Sequence, residues 1–127
     1  MKMSALIFSL IALLLSTAIV RAGDVARAQF TRAIDAREPT DDLAEASAAS
    51  MNKIYFFTEL RELEGQTVTH RWTHNGNTMA EVSFTPGSAR WRVWSSKELL
   101  PGWTGTWTVA VVDAGGNVLT ERSLKYK

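Results

Sequence analysis

The 127-residue chain carries 14 Lys or Arg against 13 Asp or Glu, a net charge of +1. It has no cysteine, which excludes disulfides, thiol nucleophiles and thiolate metal sites. One domain is the default at this length, and the charge balance lacks the basic stripe of a nucleic-acid binder.

The chain opens like an export signal. Lys2 supplies a positive start, and Ala5 to Val20 is an uncharged, mostly apolar run of sixteen residues. Val20-Arg21-Ala22 offers cleavage before Gly23, with Ala26-Arg27-Ala28 as a later candidate. Residues 1–22 therefore read as a signal peptide. The alternative is an uncleaved anchor, although the run falls short of the roughly 20 residues a span needs. Either way residues 23–127 are expected outside the cytoplasm, periplasmic or extracellular, and membrane-associated only through that segment. They form a single domain whose core must fold without disulfides.

Charge is unevenly spread. Residues 23–50 carry three Arg against six Asp or Glu, and residues 51–127 carry nine basic against seven acidic groups. Residues 26–34 fit two patterns: Ala26, Ala28, Phe30 and Ile34 suit a strand, while Ala26, Phe30 and Ile34 suit a helix face. Pro39 to Ser50 reads as a connection with one helical turn around Asp41 to Ala46. Residues 51–60, 66–74, 78–85, 88–95, 105–113 and 117–126 then read as strands. They are rich in Val, Thr and aromatics and are separated by Gly, Pro and Asn. That spacing predicts an all-β, immunoglobulin-like or fibronectin type III-like sandwich of about seven strands.

Turn chemistry sets registers. A two-residue Asn75-Gly76 loop puts His74 opposite Asn77 and Val68 opposite Ser83, so the apolar faces disagree. A three-residue loop with a bulge at Gly76 puts Val68 opposite Val82 and His70 opposite Ala80, and the pattern selects it. Thr85-Pro86-Gly87-Ser88 suggests a type II turn with positive φ at Gly87. If it closes a hairpin, Val82 meets Trp91 and Ala80 meets Val93. Arg71, Met79 and Trp94 then share one outward row, and Thr69, Glu81 and Arg92 the next. In the rival arrangement residues 88–95 cross to the other sheet and carry Arg90, Arg92 and Trp94 to its outer face. The register of the final strand is open.

Four of the five tryptophans fall between Trp91 and Trp107. Alternation assigns Trp91 and Trp107 to the core and leaves Trp103 in a loop, capping the sandwich or standing at a rim. Trp94, with Arg71, Arg92, Ser95, Ser96 and Lys97, is the candidate ligand-binding set. An exposed indole covers a sugar ring face while Arg and Ser bind hydroxyls or an acidic substituent. The structural alternatives are Arg–Trp94 stacking and a Glu81–Arg92 pair.

Other chemistry is weaker. His70 and His74 stand about 13 Å apart on a strand, too far for one metal ion. His70 reads as a core-face histidine bonded to backbone. Ser95, Ser96 and Lys97 alternate faces, and a Ser95–His70–Asp113 set lacks a nucleophile elbow and an oxyanion hole. Glu59, Glu62 and Glu64 cluster at a loop with no cleft for sugar hydrolysis. No cofactor, metal or catalytic residue is expected.

Arg37-Glu-Pro39, Tyr55-Phe-Phe-Thr-Glu-Leu60, His70-Arg-Trp72, Arg90-Trp-Arg-Val-Trp-Ser-Ser-Lys97 and Gly105-Thr-Trp-Thr-Val109, with Asp113 and Gly116, resemble a bacterial family of unknown function. Its members usually follow a signal peptide or membrane helices and face away from the cytoplasm, so the resemblance implies the same placement here. The resemblance covers residues 25–127 and implies an opening strand at 25–36; residues 43–52 look plainer than in typical members. It carries no activity. The expectation is an exported, non-enzymatic module binding an envelope glycan or acidic saccharide. The alternative is an accessory domain docking onto an envelope protein, and a small periplasmic hydrolase ranks third.

Overall fold

Alternating apolar and polar residues give strands that bury one face, and two such sheets close over each other. The computed structural model describes residues 23–127, so the export signal expected at 1–22 lies outside the described residues. The strands are β1 (Asp24–Thr31), β2 (Ile34–Asp35), β3 (Glu38–Pro39), β4 (Glu45–Ala46), β5 (Lys53–Arg61), β6 (Val68–His74), β7 (Asn77–Phe84), β8 (Arg90–Glu98), β9 (Gly105–Val112) and β10 (Val118–Tyr126). One sheet has the order β1-β5-β8 and the other β4-β10-β9-β6-β7, while β2 and β3 form a separate hairpin. Among the long strands the chain changes sheet after β5, β7 and β8, which is the sandwich connection pattern. Seven long strands make an all-β, immunoglobulin-like fold, and β2, β3 and β4 are two-residue additions.

The expected opening strand is present as β1, which resolves the ambiguity at 26–34. The helical turn expected at Asp41 to Ala46 is not. Leu43 bridges to Phe30 instead, and Glu45 and Ala46 lie parallel to Lys125 and Tyr126. Sheet-edge backbone groups pair there, where a lone helical turn would leave its ends unsatisfied.

The β6–β7 hairpin corrects the register. His74 pairs with Asn77 across a two-residue loop, and Asn75 (φ 48°) and Gly76 (φ 86°) both have positive φ, as a type I′ turn requires. A bulge then shifts the ladder, so Trp72 faces Ala80, His70 faces Val82 and Val68 faces Phe84. The extra residue lies on β7 at Met79, not in the loop at Gly76. Matching apolar faces fixed the parity correctly, but a bulge on the other strand satisfies it equally well and moves partners by two.

Gly87 is not among the positive-φ residues, so the type II turn does not form as expected. Residues 90–98 cross to the three-stranded sheet and pair along their whole length with β5, from Arg90–Arg61 to Glu98–Lys53. The β7–β8 hairpin pairs of Val82 with Trp91 and Ala80 with Val93 therefore do not exist. The last strand gains its register from a bulge between Val118 and Thr120, which puts Leu124 opposite Trp107.

Phe30, Phe56 and Trp72 meet edge to face, with Phe30 4.9 Å from Phe56 and 5.9 Å from Trp72. This is the preferred geometry for aromatic quadrupoles. Trp107 is fully buried, stacks on His74 at 4.7 Å and donates its indole N–H to the Trp103 carbonyl at 2.9 Å. Trp103 thus caps that end of the core. Trp91 is only half-buried against the core's edge. Trp107→Ala should cost about 3–5 kcal/mol, because it leaves a large cavity and unpairs a carbonyl. Urea unfolding of the variant measures it.

Candidate functional site

Strand β5 carries Phe56-Phe57 and Thr58-Glu59-Leu60, a run that breaks alternation, and all five are buried. Phe56, Thr58 and Leu60 face the sandwich interior. Phe57 and Glu59 face outward and are nonetheless 0% and 3% exposed. What covers them is the β2–β3 hairpin and a set of arginines.

A bulge in β1 between Val25 and Arg27 makes this possible. It keeps Val25 opposite Leu60 and swings Arg27 beside Glu59, where a regular strand would present Ala26. The Arg27 guanidinium lies 4.9 Å over the Phe57 ring and bonds Glu38 at 2.9 and 3.1 Å. Glu38 also accepts from Arg92 at 3.2 Å. Its pKa is lowered, mainly by the Arg27 hydrogen bonds. Glu59 accepts from Arg27 at 2.9 Å, from Arg61 at 2.9 and 2.7 Å and from Arg90 at 3.0 Å. Burial alone would raise the Glu59 pKa, but the three guanidiniums outweigh it and hold the group down to about 2. A carboxyl so held does not donate protons near neutral pH, which removes it from acid catalysis.

The turn between β2 and β3 is unusual. Ala36 (φ 50°) and Arg37 (φ 64°) are both left-handed without glycine or asparagine, at about 1–2 kcal/mol each. The strained turn is exposed and holds Arg37 beside Trp94. Arg37, Phe84, Trp91, Arg92, Val93 and Trp94 line an open groove of about 300 Å³. Arg37 makes no ion pair or side-chain hydrogen bond among the described residues.

The six residues singled out in the sequence are divided by this geometry. Arg92 and Trp94 share the outer face of the three-stranded sheet, with Ser96 exposed two residues further along β8. Arg71 belongs to the five-stranded sheet and pairs with Glu81 at 2.9 Å, so it lies on the other outer face. The Glu81–Arg92 alternative fails for the same reason. Lys97 is on the inward parity of β8, its ammonium 5.0 Å over the Trp103 ring.

Ser95 is buried in a polar chain. Trp72 Nε1 donates to Ser95 Oγ at 2.9 Å, and Ser95 Oγ lies 2.7 Å from His70 Nδ1. His70 Nε2 lies 2.9 Å from Thr58 Oγ1, which donates to the Val93 carbonyl at 3.4 Å. One assignment uses every donor: the serine donates to Nδ1 and the protonated Nε2 donates to the threonine. His70 is thus the expected core-face histidine, but bonded to side chains, not backbone. Ser95 and His70 touch with no exposed surface for a substrate and no carboxylate behind them. Asp113 instead closes its own turn, accepting from the Gly115 and Asn117 amides.

Sequence reasoning missed Arg27, Arg37, Glu38, Phe57, Glu59, Arg61 and Arg90 as one surface. The available signal was the apolar run Ile54-Tyr-Phe-Phe57 in β5, which marks a strand covered on both faces.

This sandwich defines an immunoglobulin-like protein by fold. An immunoglobulin-like protein from Pseudomonas aeruginosa is similar, with a TM-score of 0.56 and 15% identity over 86% of this chain and 99% of that one. An engineered protein is similar at a TM-score of 0.46 and 13% identity, over 84% of this chain and 20% of that one. Residues 65–125 match a family model described as "Protein of unknown function (DUF2914)". The match agrees with the resemblance to an unknown-function family. It takes in His70, Arg92 and Trp94 and leaves the β2–β3 hairpin outside. A search of curated proteins finds no match. Fold and family match are consistent with a non-catalytic module.

Burial lowers the His70 pKa to about 3. The unfolded chain therefore binds a proton that the native one refuses. Stability from this group is full above an unfolded value near 6.5 and falls as pH drops towards 3. The loss at pH 5 relative to pH 7 should be about 2 kcal/mol. Glu59 adds little to that slope, because its stabilisation fades as pH falls from an unfolded value near 4.5 towards 2. Denaturant titrations at both pH values check this, and His70→Gln should lose the slope. Ala36→Gly should raise stability by up to about 1 kcal/mol, since glycine relieves the positive φ but adds unfolded-state freedom. The unfolding midpoint measures it.

Proposed function

We propose that this protein is an exported, non-catalytic binding module of the bacterial envelope, and that it takes an acidic saccharide in the groove beside Trp94. Export rests on the leader-like residues 1–22, with the domain working in the periplasm or at the cell surface. The ligand reading rests on one observation above others: a half-buried Trp94 is flanked by Arg37, which has no ion pair among the described residues, and by Arg92, which uses one N–H on Glu38. An indole offers a sugar its apolar face to stack on, and two guanidiniums with spare donors fit a carboxylate substituent. Ser96 adds a hydroxyl further along β8. Arg71, Ser95 and Lys97 drop out of this ligand set, because they lie on the opposite face, in the core and on the inward side.

The runner-up, docking onto an envelope protein, draws on the same face. The two separate by experiment. Trp94→Ala should unfold at the wild-type midpoint and lose retention on an acidic-polysaccharide column, with affinity reduced roughly tenfold or more for the loss of a stacked ring. Equal retention of variant and wild type would sink the saccharide reading. Recovery of one stoichiometric envelope protein in a pull-down would favour docking.

A further inference from the structure

Arg61 and Arg90 stand directly opposite each other across β5 and β8. Like charges in that position repel. Arg27 joins them from β1, and the three converge on the single carboxylate of Glu59. Arg61 and Arg90 commit Nε and Nη2 to Glu59, and neither Nη1 has a hydrogen-bond partner among the described residues. Both side chains are about half exposed, at 45% and 51%. Asp24 lies opposite Arg61 on β1 but forms no ion pair with it. Glu59 is the buried anchor of the group, so the guanidiniums are held in place with their outer edges in solvent. Arg27 also bonds Glu38, so three arginines share two carboxylates, and the excess positive charge lies at Arg61 and Arg90.

The cluster lies in line with the groove. Arg90 and Arg92 share one face of β8 two residues apart, about 7 Å along the strand. Trp94 follows at the same interval. From Trp94 and Arg37 through Arg92 to Arg90 and Arg61, stacking and cationic positions recur along one line.

We propose that Arg61 and Arg90 form a second anion subsite, and that the ligand is a linear polyanionic glycan bearing carboxylates on successive units. This rests on the saccharide reading of the Trp94 groove and extends it from a single acidic sugar to a polymer. A symmetric copy of the chain is disfavoured, because pairing this face with itself would bring arginines together. The residues described here carry no overall basic excess, which argues against a nucleic-acid ligand.

Galacturonic acid and its linear hexamer are suitable probes, measured by calorimetry with the intact protein. The hexamer should bind about 100-fold more tightly than the monomer, since a second contact on one chain acts at high effective concentration. The double variant Arg61→Gln/Arg90→Gln should lose that gain and keep the monomer affinity. It should also show a shallower salt dependence, by roughly one unit per arginine removed. Its midpoint should fall, because Glu59 keeps Arg27 alone, so binding is measured well below the variant's midpoint, and the single variant Arg90→Gln, which leaves Glu59 two arginines, repeats the comparison. No gain with chain length, or equal hexamer affinity in the double variant, overturns the proposal. So does tighter binding of a single-stranded oligonucleotide of equal charge. A linear polyphosphate arm distinguishes phosphate from carboxylate, and tighter binding of polyphosphate overturns the carboxylate assignment. Trp94→Ala separates the two readings. If it leaves monomer binding intact while the arginine variant loses the hexamer, the groove reading fails and the subsite stands.

Discussion

Strand β5 is buried on both faces, and that constraint organises the rest of the molecule. Its inner side chains, Phe56, Thr58 and Leu60, complete the core between the sheets. Its outer ones, Phe57 and Glu59, need cover of their own. A carboxylate taken out of water is tolerated only with full compensation. Arg27, Arg61 and Arg90 provide it, while Arg27, held by Glu38, closes over Phe57. The β2–β3 hairpin is therefore more than a linker. Its strained turn is kept by the Glu38 contacts to Arg27 and Arg92, and the same contacts leave Arg37 projecting next to Trp94.

The interior solves a second polar problem in a different way. His70 is fully enclosed, yet each of its ring nitrogens meets a hydroxyl, so the Trp72–Ser95–His70–Thr58 chain ties the two sheets together with no formal charge. Among the described residues no buried side-chain polar atom lacks a partner. Glu59 and His70, both buried, are thus held in different charge states near neutral pH. Glu59 stays charged because cations surround it, and His70 stays neutral because nothing charged does. A serine against a histidine looks like nucleophile chemistry in isolation, but the pair is packed away from solvent and serves the joint between sheets.

How far the sequence reaches depends on whether a feature is local. Alternation in 68–74 and 105–112 identified the inward residues, and Trp107 fell where parity put it. Parity constrained the β6–β7 pairing but left its offset free, because a bulge at Met79 preserves faces as well as a bulged loop does. The candidate site was legible in part. Arg92 and Trp94 were correctly placed together on an outer face in the crossing arrangement. Arg71 was joined to them only in the hairpin arrangement, which the crossing of β8 abolishes. In a linear string Ser95 looks available, as a hydroxyl beside a tryptophan. Its burial follows from β8 lying over Trp72 and His70.

The sequence by itself determined the all-β class, the disulfide-free core and the strand faces, since these rest on period-two alternation and turn residues that act over a few positions. Only the tertiary structure decided which sheet receives β8, and with that every long-range neighbour of the arginines. Glu38, Glu59 and Arg92 lie far apart in the chain and share one surface because two sheet crossings and a bulge bring them there. Charges separated in sequence carry no record of which opposite charge will neutralise them, because that depends on strand order and not on spacing.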